Sequence, residues 1–136
     1  MVPARKTLRA CRRSSSPTAN RRSCSATMKA ANPVEFLLHA LAGCVTTTFV
    51  LHAIARGIAN KELSTELSGD LDLQGLLGLD DTVPAGYEQI RIMMRVKADC
   101  SDQALDELLA YAQQHSPVCN TVCRPVPVMV ERAKKT

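Results

Sequence analysis

Aromatic side chains are scarce in this chain of 136 residues, with no Trp, Phe only at 36 and 49, and Tyr only at 87 and 111. The core must therefore be aliphatic and alanine-rich, and a base-stacking platform for nucleic acid has little to be built from. There is no Gly-rich phosphate loop, no HExxH and no GxSxG, so no motif points to nucleotide, zinc-protease or serine-hydrolase chemistry. The carboxylates are scattered and suggest no acid/base pair. Long unbroken apolar runs are missing as well. The longest, Val45 to Ile58, is interrupted by three threonines, His52 and Arg56, and is not expected to span a membrane.

Acidic residues are absent from residues 1–31, which hold eight Lys and Arg. The remainder carries nine basic and 13 acidic residues, a net charge of −4. The overall +4 thus belongs to the head, and the body is mildly acidic, which argues against a nucleic-acid surface. The head is Arg- and Ser-rich without hydrophobic periodicity. It reads as a disordered or targeting-like segment, with a transit peptide, a misassigned start or a bacterial basic tail as the competing origins. Six cysteines (11, 24, 44, 100, 119 and 123) could form a disulfide scaffold. No apolar signal-like run precedes the body, and Cys44 falls inside a core helix, so reduced thiols in the cytoplasm are expected. An organelle is the alternative if residues 1–31 direct transit.

What is present is a long helix followed by strands. Asn32-Pro33 is a helix start, and Glu35 supplies the acid of a capping box. Leu37, Leu41, Cys44, Val45, Thr48 and Leu51 fall at helical spacing, and Arg56-Gly57 signals the end. From Glu62 the period becomes two. Leu63, Thr65, Leu67, Leu71 and Leu73 predict a half-buried strand, with a bulge or bend at Gly69. Gly75 to Gly86 reads as a loop. Tyr87 to Ala98 reads as a strand with Ile90, Ile92, Met94 and Val96 on one face and Arg91, Arg95 and Lys97 on the other. Ser101 caps a helix to about Gln114, and Ser116-Pro117 starts a short helical turn. Arg124 to Glu131 predicts a last strand, confined by its prolines to an edge or bulge. The class is α+β, in one domain over residues 32–136.

Cys44 is mid-helix, where no helix dipole end can lower its pKa, so its thiolate would need help from another element. His39 lies about 140° round the axis and His52 about 12 Å along it, so neither can pair with it. On the helix alone, a packing cysteine and a nucleophile are equally supported. Cys119 and Cys123 are four apart, one face of a helix if the turn is helical. With His115 they could bind a metal, or the two thiols could oxidise. No fourth ligand is evident, so no metal site is assigned.

NPVEFLLHALAGC on the first helix, followed downstream by SPVCNTVCRPVPV, resembles the OsmC/Ohr family (osmotically inducible protein C, organic hydroperoxide resistance) over about residues 30–132. The resemblance implies an OsmC-like fold, an intertwined homodimer with long central helices on antiparallel sheet. It implies a thiol peroxidase for organic hydroperoxides, regenerated by a dithiol reductant, with no cofactor. Cys44 then corresponds to the peroxidatic cysteine. Two positions depart from the pattern. Active members carry Glu two residues after the Asn, to help hold an activating Arg, where this chain has Val34 and then Glu35. Ser116 stands where a resolving cysteine would precede Pro117. Cys119 is the nearest substitute, with Cys123 behind it. The N-terminal strands that supply the Arg have no counterpart in the pattern of residues 1–31. The alternative is a non-catalytic OsmC-like dimer that binds a small apolar ligand or serves a structural role.

Overall fold

In this computed structural model the described residues are 5–13, as backbone, and 32–133. Asn32 starts the first helix, α1 (Pro33–Ala55), through the expected reciprocal cap. Its Oδ1 accepts from the Glu35 N–H at 2.9 Å, and Glu35 Oε2 accepts from the Asn32 N–H at 3.0 Å. Gly57, at φ +70°, ends the helix in the left-handed region that Gly enters without penalty.

The buried face of α1 is Leu38, Leu41, Ala42, Val45, Phe49 and Ala53, rotated from the expected stripe. Leu51 is 62% exposed, and Leu37 is exposed too. Apolar residues occur all round this helix, so spacing alone did not select which side faces the sheet. The outward side keeps Phe36, Leu51 and Ile54 in solvent. By length and composition, with a mean hydropathy of 1.7, α1 could also cross a bilayer; the threonines and His52 do not lower it enough to exclude that. Here one of its faces is covered by the sheet.

That sheet has three antiparallel strands in the order β1-β2-β3, with β1 at Arg5–Arg13, β2 at Asn60–Asp72 and β3 at Tyr87–Ala98. Strand β1 corrects the reading of residues 1–31 as disordered and without strands. It pairs along β2 from Arg5↔Asp72 to Arg13↔Ser64. A strand made almost wholly of basic and small residues has no hydrophobic signature of its own. It is the open ladder edge of β2, with its unpaired backbone donors and acceptors, that favours the pairing. Residues 14–31 lie outside the described residues, and with them the rest of the targeting reading.

Strands β2 and β3 alternate as their sequences predict. Thr65, Leu67 and Leu71 are buried beneath α1, with Ile90, Ile92, Met94 and Val96 half-buried beside them. The outer face carries ion pairs, Arg91 with Asp70 at 2.6 Å and Arg95 with Glu66 at 3.2 Å. The register shifts at Asp70/Leu71, next to Gly69. A Cβ on Gly69 would sit 2.6 Å from the Tyr87 ring, so only glycine lets that ring lie across the strand. The Tyr87 hydroxyl then donates to the Val34 carbonyl at 2.7 Å, tying β3 to the first turn of α1.

A four-residue helix, α2 (Leu73–Leu76), opens the expected loop. Ser101 caps α3 (Asp102–His115), and Ser116 caps α4 (Pro117–Cys123). The core divides along α1. Leu38, Leu41, Ala42 and Val45 pack with Leu67 and Cys119, while Phe49 and Ala53 pack with Leu108 and Ala112. Each fully buried Leu or Phe contributes about 1.5–3 kcal/mol.

The expected last strand at Arg124–Glu131 does not form. Residues 125–133 take no regular secondary structure and are exposed, Val130 to 94%. Pro125 and Pro127 remove two ladder donors, and β3 does not take the segment up as a neighbour.

Candidate functional site: a thiol cluster between α1 and α4

The two cysteine-bearing segments meet at Ser116. This residue is fully buried where α3 gives way to α4, and its extended backbone (φ −75°, ψ 117°) turns the chain back onto α1. Its hydroxyl donates to Cys44 Sγ at 3.2 Å. The same oxygen accepts from the Cys119 N–H at 3.3 Å, which is the α4 cap. One side chain therefore starts the short helix and touches the thiol of the long one. The resemblance treated Ser116 as a lost resolving cysteine; its contact with Cys44 came from the structure, and the signal was the Ser-Pro pair at a helix start.

Cys44 is half-buried. It lies one turn before Thr48, whose hydroxyl donates to the Cys44 carbonyl at 2.8 Å. Among the residues whose side chains are described, no arginine is hydrogen-bonded to the Cys44 thiol. Glu35, adjacent to the position where the family's acid stands, is committed to the helix cap.

Cys119 is 5% exposed and packs against Leu41, Ala42 and Val45 of α1. Its Sγ lies 3.9 Å from Cys123 Sγ. Burial pushes the Cys119 thiol above its usual pKa. The hydrogen bond with Cys123 and the nearby charges of Cys123 and Cys44 push the same way. Cys119 is thus held as a neutral thiol, while Cys123, one turn on, is exposed.

A cleft of about 340 Å³ opens beside the pair. Leu41, Val45, Ile90, Ile92, Met94 and Val122 give it an apolar lining, and Cys119 and Cys123 form part of its wall. Such a space suits a small apolar molecule. A second, more polar cleft runs past Asn120 and Arg124 on the other side of the same two cysteines.

His115 does not join the thiols. The break at Ser116 puts it on α3, where its ring stacks on Tyr111 at 3.9 Å, with the His52 ring edge-on to Tyr111 at 4.7 Å. Arg56 lies over the same tyrosine at 4.9 Å. The three-ligand reading of His115, Cys119 and Cys123 fails on this geometry: no group of three metal-ligating side chains assembles among the described residues. Cys100 is half-buried at the end of β3, and no contact joins it to the cluster.

The arrangement offers one half-buried thiol with a hydroxyl donor, one buried neutral thiol and one exposed thiol, in sequence. Sulfenic acid formation followed by disulfide condensation is chemistry that such a set can carry.

Comparison with known proteins bears on the fold and the family. A crystal structure of an OsmC-like protein from Mycoplasma pneumoniae is similar to this chain, with a TM-score of 0.64 and 23% identity. The similarity covers 71% of this chain and 65% of that one, so the chain spans about two thirds of its structural neighbour. At that identity the likeness concerns the fold. No curated protein sequence matches the chain. The family model described as OsmC-like protein matches residues 26–131, most of the chain and all of the thiol cluster. The chain belongs to the OsmC-like protein family.

Proposed function

We propose that this protein is a thiol-dependent peroxidase for organic hydroperoxides, with Cys44 as the nucleophile. The observation that carries the reading is the 3.2 Å hydrogen bond from Ser116 to Cys44 Sγ. It supplies a donor to the thiolate from outside α1, which a mid-helix cysteine requires. It also places the helix bearing Cys119 and Cys123 against the reacting sulfur.

In the first step the Cys44 thiolate attacks the terminal oxygen of ROOH. The O–O bond breaks, Cys44 becomes a sulfenic acid, and the departing alkoxide takes up a proton as ROH. Cys119 then condenses with the sulfenic sulfur, forming a Cys44–Cys119 disulfide and releasing water. A dithiol reductant returns both sulfurs to thiols as it becomes a disulfide itself. The apolar cleft alongside accommodates the organic part of the peroxide. The raised pKa of Cys119 disfavours the thiolate that condensation uses and so slows that step at neutral pH.

The apolar outer side of α1 and the exposed segment 125–133 suit a homodimer, in which a second copy would cover Phe36, Ile54 and Val130. Free thiols fit a reducing, cytoplasmic setting.

A second reading, a non-catalytic binder of a small apolar molecule, is favoured by the cleft itself, since its lining does not include Cys44. One equivalent of cumene hydroperoxide, followed by a sulfenic-acid-trapping dione and peptide mapping, separates the two. Label on Cys44 in the Cys119→Ser variant supports the peroxidase. Unlabelled Cys44 with an intact fold rejects it and leaves the binder.

A further inference from the structure

We propose that Cys123 is a third redox-active residue, which takes the disulfide from the Cys44–Cys119 pair, whose Cys119 end is buried, and carries it to the exposed end of α4 as Cys119–Cys123. The proposal rests on Cys44 being the nucleophile, as argued above, and goes beyond it by naming where the external reductant acts.

Access is the first argument. Ser116 is fully buried and Cys119 is 5% exposed, and both pack between α4 and α1. In a Cys44–Cys119 disulfide the Cys119 sulfur would therefore lie behind α4, and only the half-buried Cys44 sulfur would be open to a dithiol protein. Cys123 is exposed, one turn away on the same helix.

Distance is the second. The Cys119 and Cys123 sulfurs already lie 3.9 Å apart, so closing to a bond of ~2.05 Å needs a movement of about 2 Å. Two cysteines at i and i+4 do not reach disulfide geometry on a rigid helix, so the last turn must loosen. The turn is suited to this. Helix α4 has seven residues, and its extended C-cap, Arg124, is held to it by a single 3.1 Å bond to the Asn120 carbonyl. Beyond it the chain is exposed and unpaired with the sheet.

Leaving-group chemistry is the third. In the exchange the Cys123 thiolate attacks Cys119 Sγ. The Cys44–Cys119 bond breaks, Cys119–Cys123 forms, and Cys44 departs as a thiolate. Ser116 already donates to that sulfur and stabilises the charge that develops there. Cys119, whose thiol is disfavoured as an anion by its surroundings, is the poorer leaving group of the pair. The exchange is internal and needs no further oxidant. An external dithiol then reduces Cys119–Cys123, becoming a disulfide.

One consequence separates this relay from a simple pair. Without reductant, the relay returns Cys44 as a thiolate before Cys119 or Cys123 is restored. Cys44 can then react with a second hydroperoxide.

The test is the reductant-free burst with cumene hydroperoxide, in a background with Cys11, Cys24 and Cys100 replaced by serine. The relay predicts a fast burst of about two equivalents per chain, falling to about one in Cys123→Ser and in Cys119→Ser. Trypsin should leave Cys44 on one peptide (30–56) and both Cys119 and Cys123 on another (98–132). The relay therefore predicts an internal disulfide within the second peptide for the parent, and a cross-link between the two peptides for Cys123→Ser. A parent burst of about one equivalent, with the cross-linked peptides as product, overturns the relay and leaves the peroxidase standing. No burst in any variant overturns the peroxidase itself. Mapping of the parent alone decides the point should a variant fail to fold.

Discussion

Replacing Ser116 by Ala removes a single oxygen that serves both α4 and the thiol cluster. The hydroxyl caps α4 through the Cys119 N–H at 3.3 Å and donates to Cys44 Sγ at 3.2 Å. Loss of an N-cap costs about 1 kcal/mol. Because the capped group is the buried Cys119 N–H, that cost rises to as much as ~3 kcal/mol if no water reaches it. A loss of about 1 kcal/mol lowers the melting temperature by about 4 °C in a domain of this size, so a drop of roughly 4–12 °C is expected. The chemical effect is separate. A hydrogen bond to a charged group is worth about 1.5–3 kcal/mol. Cys44 is half-buried, so water replaces part of this, and the low end applies. The alkylation rate of Cys44 at neutral pH should fall about tenfold. Two measurements are needed: thermal unfolding by circular dichroism, and iodoacetamide kinetics followed on the Cys44 peptide. Ser116→Thr, which retains the hydroxyl, should recover most of the alkylation rate. A lower melting temperature with unchanged Cys44 reactivity would show that Ser116 is only a cap, and would remove the main support for Cys44 as an activated thiol.

Gly69→Ala should destabilise the protein by about 1–3 kcal/mol in urea unfolding, because the new Cβ meets the Tyr87 ring at 2.6 Å; Gly86→Ala, with nothing within 4 Å, should be close to neutral. Alkaline pH should weaken the fold. Burial raises both Cys119 and Tyr87 in the folded state, so the unfolded chain ionises first. Stability is complete below the ordinary thiol value of about 8.5 and is lost as pH rises through the raised values. Denaturation midpoints between pH 8 and 11 should show this, with a smaller decline in Cys119→Ala. Ser116→Cys should place a thiol close to Cys44, where a separation near the present 3.2 Å needs only a small closure to a disulfide. Non-reducing peptide mapping after peroxide should then find a bridge joining residues 44 and 116 in preference to Cys44–Cys119.

The parts of the fold that the sequence predicts correctly are those in which a local rule and the packing agree. Asn32, Pro33 and Glu35 make a cap that is complete within four residues, and it forms as expected. Strand β3 alternates Ile, Met and Val with Arg and Lys, which only a sheet with one solvated face satisfies. Other elements depend on distant partners. Helix α1 is apolar around most of its circumference, so its inward face is chosen by Leu67 and Leu108 rather than by its own period. Strand β1 is recruited by the free edge of β2, and its basic sequence gives no sign of it. The segment after Arg124 has the composition of a strand but no strand neighbour among the described residues. At the site, Cys44 stands out in the sequence by its place on a long helix, and Cys119 and Cys123 by their spacing of four. The role of Ser116 does not, because a hydrogen bond across 72 residues leaves no local pattern.

The central claim is that Cys44 is the sulfur that reduces peroxide. It is tested most directly by stopped-flow mixing of the reduced protein with cumene hydroperoxide, comparing the natural sequence with Cys44→Ser. Fast consumption that disappears in the variant is the predicted result. Slow consumption, equal in the two proteins, would contradict the claim and leave an OsmC-like fold whose apolar cleft binds a ligand without reducing it.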